Sequence, residues 1–188
     1  MEHYCITGGI GAGKSYVCAL LRKHGIDIYD CDDGAKRITR TSEEVKRKLK
    51  QLIGEDVYLP DGTYNKPVVA KFLLASEENK QALNAVIHPA VMQDFYDSGL
   101  LWMESAILYE AHLEQWVDKV VAVTAPPEVR IQRVMKRDSL DHDRAKAWVD
   151  RQADQTEVAR RADYVIVNDG KTDLEEQIQN ILKQIDSQ

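Results

Sequence analysis

Nowhere in the chain do about 18 apolar residues run together, the length that a bilayer-spanning helix needs. The first residues also lack the charged-then-apolar pattern of a secretory leader, so the expected address is cytoplasmic, with no membrane partner. Cysteine is scarce. Cys5, Cys18 and Cys31 form an odd set with no C-x-x-C spacing, which argues against a disulfide framework and for reduced, structural thiols. Basic residues are in deficit: 25 Lys and Arg against 31 Asp and Glu give a formal net charge of -6. The average field therefore repels polyanions and argues against a nucleic-acid partner, so any anionic ligand must meet a local cluster of positive groups. Internal repeats and low-complexity linkers are absent as well. What remains, 188 residues of which 44% are hydrophobic and 30% charged, suffices for one sizeable core, alone or with a small appendage.

Short apolar runs alternate with helical patterns. Tyr4 to Thr7, Ile26 to Tyr29, Leu100 to Leu108, Lys119 to Thr124 and Tyr164 to Val167 read as strands bounded by turn or polar residues. A helix is expected from Lys14 to about His24, where Gly25 stops it. Strand, helix, strand in this order implies an α/β fold, a parallel five-stranded sheet flanked by helices. A last helix carries Leu174, Ile178, Ile181, Leu182 and Ile185 on one face, with Thr172-x-x-Glu175 as its capping box. Residues 36–98 have a different texture, helical throughout. Thr41-x-x-Glu44 caps a helix with Val45, Leu49, Leu52 and Ile53 on its apolar face, Asp61-Gly62 makes a turn, and Pro67 opens a further helix. His88-Pro89 is expected to break the chain before another helix. The segment reads as an insertion that supplies substrate specificity or serves structure alone.

The chemistry begins at "TGGIGAGKS". Gly8, four residues, Gly13, Lys14 and Ser15 match the spacing G-x4-G-K-[ST] of a P-loop, after a strand and opening a helix as that motif requires. Gly8, Gly9, Gly11 and Gly13 are expected to turn with positive φ and bring backbone N–H groups against phosphate oxygens, with Ala12 and Tyr16 also expected among the nucleotide-binding residues. Lys14 would then sit on the β- and γ-phosphates, and Ser15 would ligate Mg²⁺. A glycine turn that only packs strand against helix is the competing account.

The guanine-nucleotide switches need Asp-x-x-Gly and Asn-Lys-x-Asp, and neither occurs in the chain, which leaves a small-molecule kinase as the leading class. A kinase must activate an acceptor hydroxyl, and the second strand ends in "YDCDDGA". If the strand stays extended there, Asp30 and Asp32 face one way and Asp33 the other, and two carboxylates are available for metal and proton. Capping of the following helix is the alternative use. After the fourth strand, Arg130, Arg133 and Arg137 share one face of a helix whose other face carries Ile131, Val134 and Met135. Guanidinium forks on a helical flap suit a lid over phosphates; a solvated basic face is the plainer reading. The expected division is a nucleotide core of residues 1–35, 99–126 and 160–188, the 36–98 insertion, and a lid of residues 127–159.

Taken together, "TGGIGAGKS", "GIDIYDCD", "GTYNK", "LNAVIHP", "RVMKRD", Gln152 and "ADYVIVNDG" resemble the dephospho-coenzyme A kinase family, which performs the last step of coenzyme A synthesis. The resemblance runs along nearly the whole chain. It implies ATP-dependent phosphorylation of the ribose 3′-hydroxyl of dephospho-coenzyme A, with ATP and Mg²⁺ required. Asp32 is implied as the general base and, with Ser15, as a metal ligand. Lys14, Arg133 and Arg137 are implied at the phosphates, Asn168 to Gly170 near the adenine, and Lys66, His88 and Glu110 at the acceptor, with the insertion holding the coenzyme moiety. The sequence departs from the family at Ala106, where proline is usual, at Lys66, where arginine is common, and at Arg130, where glutamine is common. Glu104, a lone carboxylate in an apolar run, is a further candidate for the metal. A nucleoside or nucleoside monophosphate kinase is the enzymatic alternative, and an ATP-sensing module the non-enzymatic one.

Overall fold

The computed structural model describes residues 1–187, in two compact units, Met1–Tyr29 with Leu100–Gln188, and Asp30–Gly99. In chain order the elements are β1 (Tyr4–Thr7), α1 (Lys14–Lys23), β2 (Ile28–Asp30), α2 (Cys31–Thr41), α3 (Glu43–Ile53), α4 (Lys66–Ala75), α5 (Glu77–Asp97), β3 (Trp102–Glu104), β4 (Lys119–Thr124), α6 (Pro127–Asp138), α7 (His142–Asp150), α8 (Gln155–Arg161), β5 (Tyr164–Val167) and α9 (Leu174–Asp186). Among the described residues no helix is long and apolar enough to cross a membrane.

The first unit is built on a parallel five-stranded sheet of order β2-β3-β1-β4-β5. Every residue of β1 is buried, as a central strand covered on both faces requires. The main core joins Ile6, Val17, Leu21, Val121, Val123, Ile166, Ile178 and Ile181, with Leu174, Leu182 and Ile185 of α9 packed against it. Each such aliphatic side chain contributes roughly 1.5–3 kcal/mol relative to exposure. Tyr4 and Trp102 stack across β1 and β3 with ring centroids 4.5 Å apart. A second cluster, Ile131, Val134, Ala145 and Val149, joins α6 to α7, and Ile10 of the glycine loop packs against it.

Several boundaries differ from the sequence expectation. β3 stops at Glu104 and not at Leu108. Once the Ser105 N–H has bonded Ile6 C=O, the chain turns on itself, with Ala111 N–H on Ile107 C=O and Leu113 N–H on Leu108 C=O satisfying the backbone locally. α9 is capped by Asp173, whose Oδ1 accepts from the N–H groups of Glu175 and Glu176, not by Thr172. Likewise Ser42, not Thr41, caps α3, because Thr41 spends its hydroxyl on Arg37 C=O. Gly25 does end α1, at φ 81° with its N–H on Arg22 C=O.

The second unit is helical. It begins at Asp30, ahead of the expected residue 36, because α2 starts immediately after β2. Thr63 N–H bonds Asp61 Oδ1 at the expected turn, and Pro67 lies in the first turn of α4. The His88-Pro89 pair does not break the chain: α5 runs unbroken from Glu77 to Asp97 with Pro89 inside it. An interior proline costs about 3 kcal/mol. Leu83, Val91, Met92 and Phe95 are buried on either side of it, and that burial outweighs the cost.

Candidate active site

β1 and α1 present the glycine loop at the carboxyl end of the sheet, the edge where ligands bind in open α/β folds. Gly13 sits at φ 93°, and a Cβ there would lie 2.1 Å from Asn168 Nδ2. Gly9 corrects the expectation: it is not among the positive-φ glycines, and its requirement is close approach, since a Cβ would meet Arg130 Nη2 at 2.5 Å.

Three successive carbonyls of the loop, at Ile10, Gly11 and Ala12, have cationic or amide side-chain donors. Arg130 Nε donates to Ile10 C=O at 2.9 Å, Arg133 Nη1 to Gly11 and Ala12 C=O at 3.2 and 3.3 Å, and Asn168 Nδ2 to Ala12 C=O at 2.8 Å. Because a trans peptide is planar, its N–H points opposite to its C=O. Ala12 N–H closes a turn on Gly9 C=O, while among the described residues the N–H groups of Gly11 and Gly13 have no partner. Lys14 and Ser15 add the orphan N–H groups of a helix start. Successive unpaired amides at a helix start are the donors that bind anions.

Lys14, the first residue of α1, reaches Glu104 at the end of β3, with Nζ and Oε1 2.5 Å apart and the side chains only 14% and 12% exposed. Register explains the meeting, since Glu104 pairs with Ile6 on the neighbouring strand. Burial works to raise the Glu104 carboxyl, but hydrogen bonds from Cys18 and Lys14 and the lysine's charge hold it below the ordinary glutamate range. Cys18 responds in the opposite direction, its thiol pushed up by burial and by the carboxylate beside it. All three cysteines are buried thiols. The sequence marked Glu104 by its isolation in an apolar run, yet not as the partner of Lys14; strand pairing, which supplies that contact, is invisible to a linear pattern.

The arginines do not form one exposed lid face. Arg130 is 4% exposed and also bonds Gln152. Arg133 holds the loop and Asn168 Oδ1, and Arg137 pairs with its neighbour Asp138. Asn168 is buried, with its N–H on Thr124 C=O, so its side chain lies against the loop. Gly170 follows in an exposed turn closed by Asp169, Tyr16 is exposed on α1, and Glu110 is exposed in the turns after β3.

In the second unit the extended-strand expectation for the aspartates fails. β2 ends at Asp30, which caps α2 by accepting from Asp33 N–H at 2.9 Å, so Asp32 and Asp33 lie in the first helical turn and no longer alternate. Both are exposed. Lys66 is exposed at the start of α4. His88 is half-buried in the middle of α5, where loss of hydration lowers its pKa, and it caps nothing.

The chain matches the family model described as dephospho-CoA kinase over residues 4–173. It belongs to the dephospho-CoA kinase family. A dephospho-CoA kinase of Bacteroides fragilis is 35% identical over 184 residues, covering 94% of this chain and 89% of that one. A crystal structure of a Thermus thermophilus protein is 30% identical, covers 97% of both chains and superposes with a TM-score of 0.80. Shikimate kinase of Bacteroides thetaiotaomicron, 15% identical over 98% of both chains with a TM-score of 0.56, shares the fold.

Proposed function

We propose that the chain transfers the γ-phosphoryl group of ATP to the ribose 3′-hydroxyl of dephospho-coenzyme A, giving coenzyme A and ADP, the final step of coenzyme A synthesis. The observation that carries this reading is the loop itself: unpaired N–H groups of Gly11, Gly13, Lys14 and Ser15, turned away from the donors that hold the carbonyls, in a chain of this family.

In this reading the amides and the Lys14 ammonium bind the β- and γ-phosphates, and Lys14 exchanges Glu104 for phosphate oxygen. The acceptor's 3′-oxygen attacks phosphorus as the bond to the β–γ bridging oxygen breaks, ADP leaves with that electron pair, and the hydroxyl proton passes to the Asp32 carboxylate. Arg133 and Arg137 stand for the charge on the transferring group, Asn168 and Gly170 for the nucleotide's base end, and Lys66, His88 and Glu110 for the acceptor. Among the described residues no cluster of three acidic, histidine or cysteine groups exists to cage a metal. Mg²⁺ does not require one, because it takes one or two protein oxygens together with substrate phosphates and water. We take the Ser15 hydroxyl and the Asp32 carboxylate, each exposed, as the candidates for those oxygens. When bound, Mg²⁺ would neutralise phosphoryl charge.

An ADP-release assay over a panel of acceptors tests the assignment. Dephospho-coenzyme A is expected to exceed adenosine and AMP in kcat/KM by about a hundredfold or more, equivalent to roughly 3 kcal/mol from contacts to the pantetheine arm. Equal efficiency with AMP would favour a nucleoside monophosphate kinase.

A further inference from the structure

Arg130 and Gln152 close a ring around one residue of the glycine loop. Gln152 Oε1 accepts from Ile10 N–H at 2.5 Å and from Arg130 Nη2 at 3.1 Å, while Arg130 Nε donates to Ile10 C=O at 2.9 Å. Both polar groups of Ile10 are thus held by two side chains that also hold each other. Gln155 Oε1 takes the preceding N–H, that of Gly9, at 3.0 Å, and Ile10's own side chain packs against the α6–α7 cluster. The fit admits no extra carbon: a Cβ on Gly9 would stand 2.5 Å from Arg130 Nη2, 2.8 Å from Gln155 Nε2 and 2.9 Å from Gln152 Oε1.

At 4% exposure, Arg130 has its charge directed at a backbone carbonyl and not at solvent. Burial works against that charge, and the Asp150 carboxylate partly compensates. A buried guanidinium is kept at such cost where its fork geometry is needed, because a lysine ammonium cannot serve two acceptors in one plane. The geometric consequence falls on the next peptide. With Ile10 C=O fixed on the Arg130 side, planarity points the Gly11 N–H to the opposite side, where, like the N–H groups of Gly13, Lys14 and Ser15, it has no protein partner among the described residues.

We infer that Arg130 and Gln152 are positioning residues for ATP: they clasp Ile10 and so aim the Gly11 amide into the phosphate cradle before nucleotide arrives. This deepens the proposed nucleotide reading and rests on it. Preorganised amides cost no reorganisation when the phosphate binds, so the clasp acts on ATP affinity and leaves the acceptor's contacts alone.

The test is calorimetric titration of ATP into the full chain, with melting temperature and both Michaelis constants measured alongside. Gln152→Ala removes the shared acceptor and is expected to weaken ATP about tenfold, one hydrogen bond's worth at about 1.4 kcal/mol. Gln152→Glu keeps an acceptor oxygen beside Arg130 and Ile10 and should stay within about threefold of the parent protein. Arg130→Lys, which can hold one partner but not both, should fall like Gln152→Ala and serves if that variant does not fold. The KM for dephospho-coenzyme A should stay within about twofold throughout. The clasp is overturned if folded Gln152→Ala and Arg130→Lys bind ATP as the parent does, or if Gln152→Glu loses as much as Gln152→Ala. It is equally overturned if both Michaelis constants rise together with a fall in melting temperature. A parent chain that does not bind ATP would instead remove the nucleotide reading, and the clasp's purpose with it.

Discussion

Gly13→Ala puts a methyl group where the structure has no room. The added carbon would lie 2.1 Å from Asn168 Nδ2, and the residue would have to hold φ 93°. An alanine in the left-handed region costs roughly 1 kcal/mol. Displacing the Asn168 amide costs two more contacts, its 2.8 Å bond to Ala12 C=O and the 3.1 Å bond it accepts from Arg133, each about 1 kcal/mol. The total is about 3 kcal/mol, or about 6–12 °C in melting temperature for a chain of this size. Gly25→Ala is the internal control: its φ is 81°, yet nothing lies within 4 Å of the added carbon, so only the conformational cost of about 1 kcal/mol applies. Urea unfolding of both variants should show Gly13→Ala less stable than Gly25→Ala by about 2 kcal/mol at unchanged m-value. Equal losses within about 0.5 kcal/mol would refute the packing of Asn168 against the loop.

Asp32→Asn keeps the side chain's size and cannot take up a proton at neutral pH, so turnover at saturating substrates should fall at least about a hundredfold with the fold intact; reduced ATP affinity at unchanged turnover would make Asp32 a metal-positioning group only. His88 gives a pH signature. Its pKa is lowered in the folded chain, so the unfolded chain binds the proton more readily, and the contribution of neutral His88 is complete above 6.5 and lost as pH falls below it. Urea midpoints from pH 8 to pH 5 should therefore fall more steeply for the parent than for His88→Gln, and parallel curves would show that His88 is equally hydrated in both states.

The motif that names the chemistry was legible because it is local. Nine consecutive residues, Thr7 to Ser15, specify strand end, turn and helix start, and β1, β4 and β5 fall where the apolar runs put them. The carboxylates were harder. At Asp32 "YDCDDGA" permits strand or helix, and the chain takes the helix, capped by the hydrogen bond from Asp33 N–H to the Asp30 side chain. Pro89 misled for the opposite reason: its local rule is real, and the buried side chains on both sides of it override the rule. The arginines looked alike in the helical pattern, but only tertiary structure distinguishes Arg130, spent on Ile10 and Gln152, from Arg137, spent on Asp138. Nothing linear links Lys14 to Glu104, which are 90 positions apart.

The most direct test of the assignment is the position of the new phosphate. Dephospho-coenzyme A incubated with the protein, ATP and Mg²⁺ should give a product whose phosphorus NMR spectrum shows a new phosphomonoester coupled to the ribose 3′-proton, with the diphosphate bridge unchanged. A phosphate added to the existing phosphate chain, or no new phosphomonoester despite ATP consumption, would contradict it.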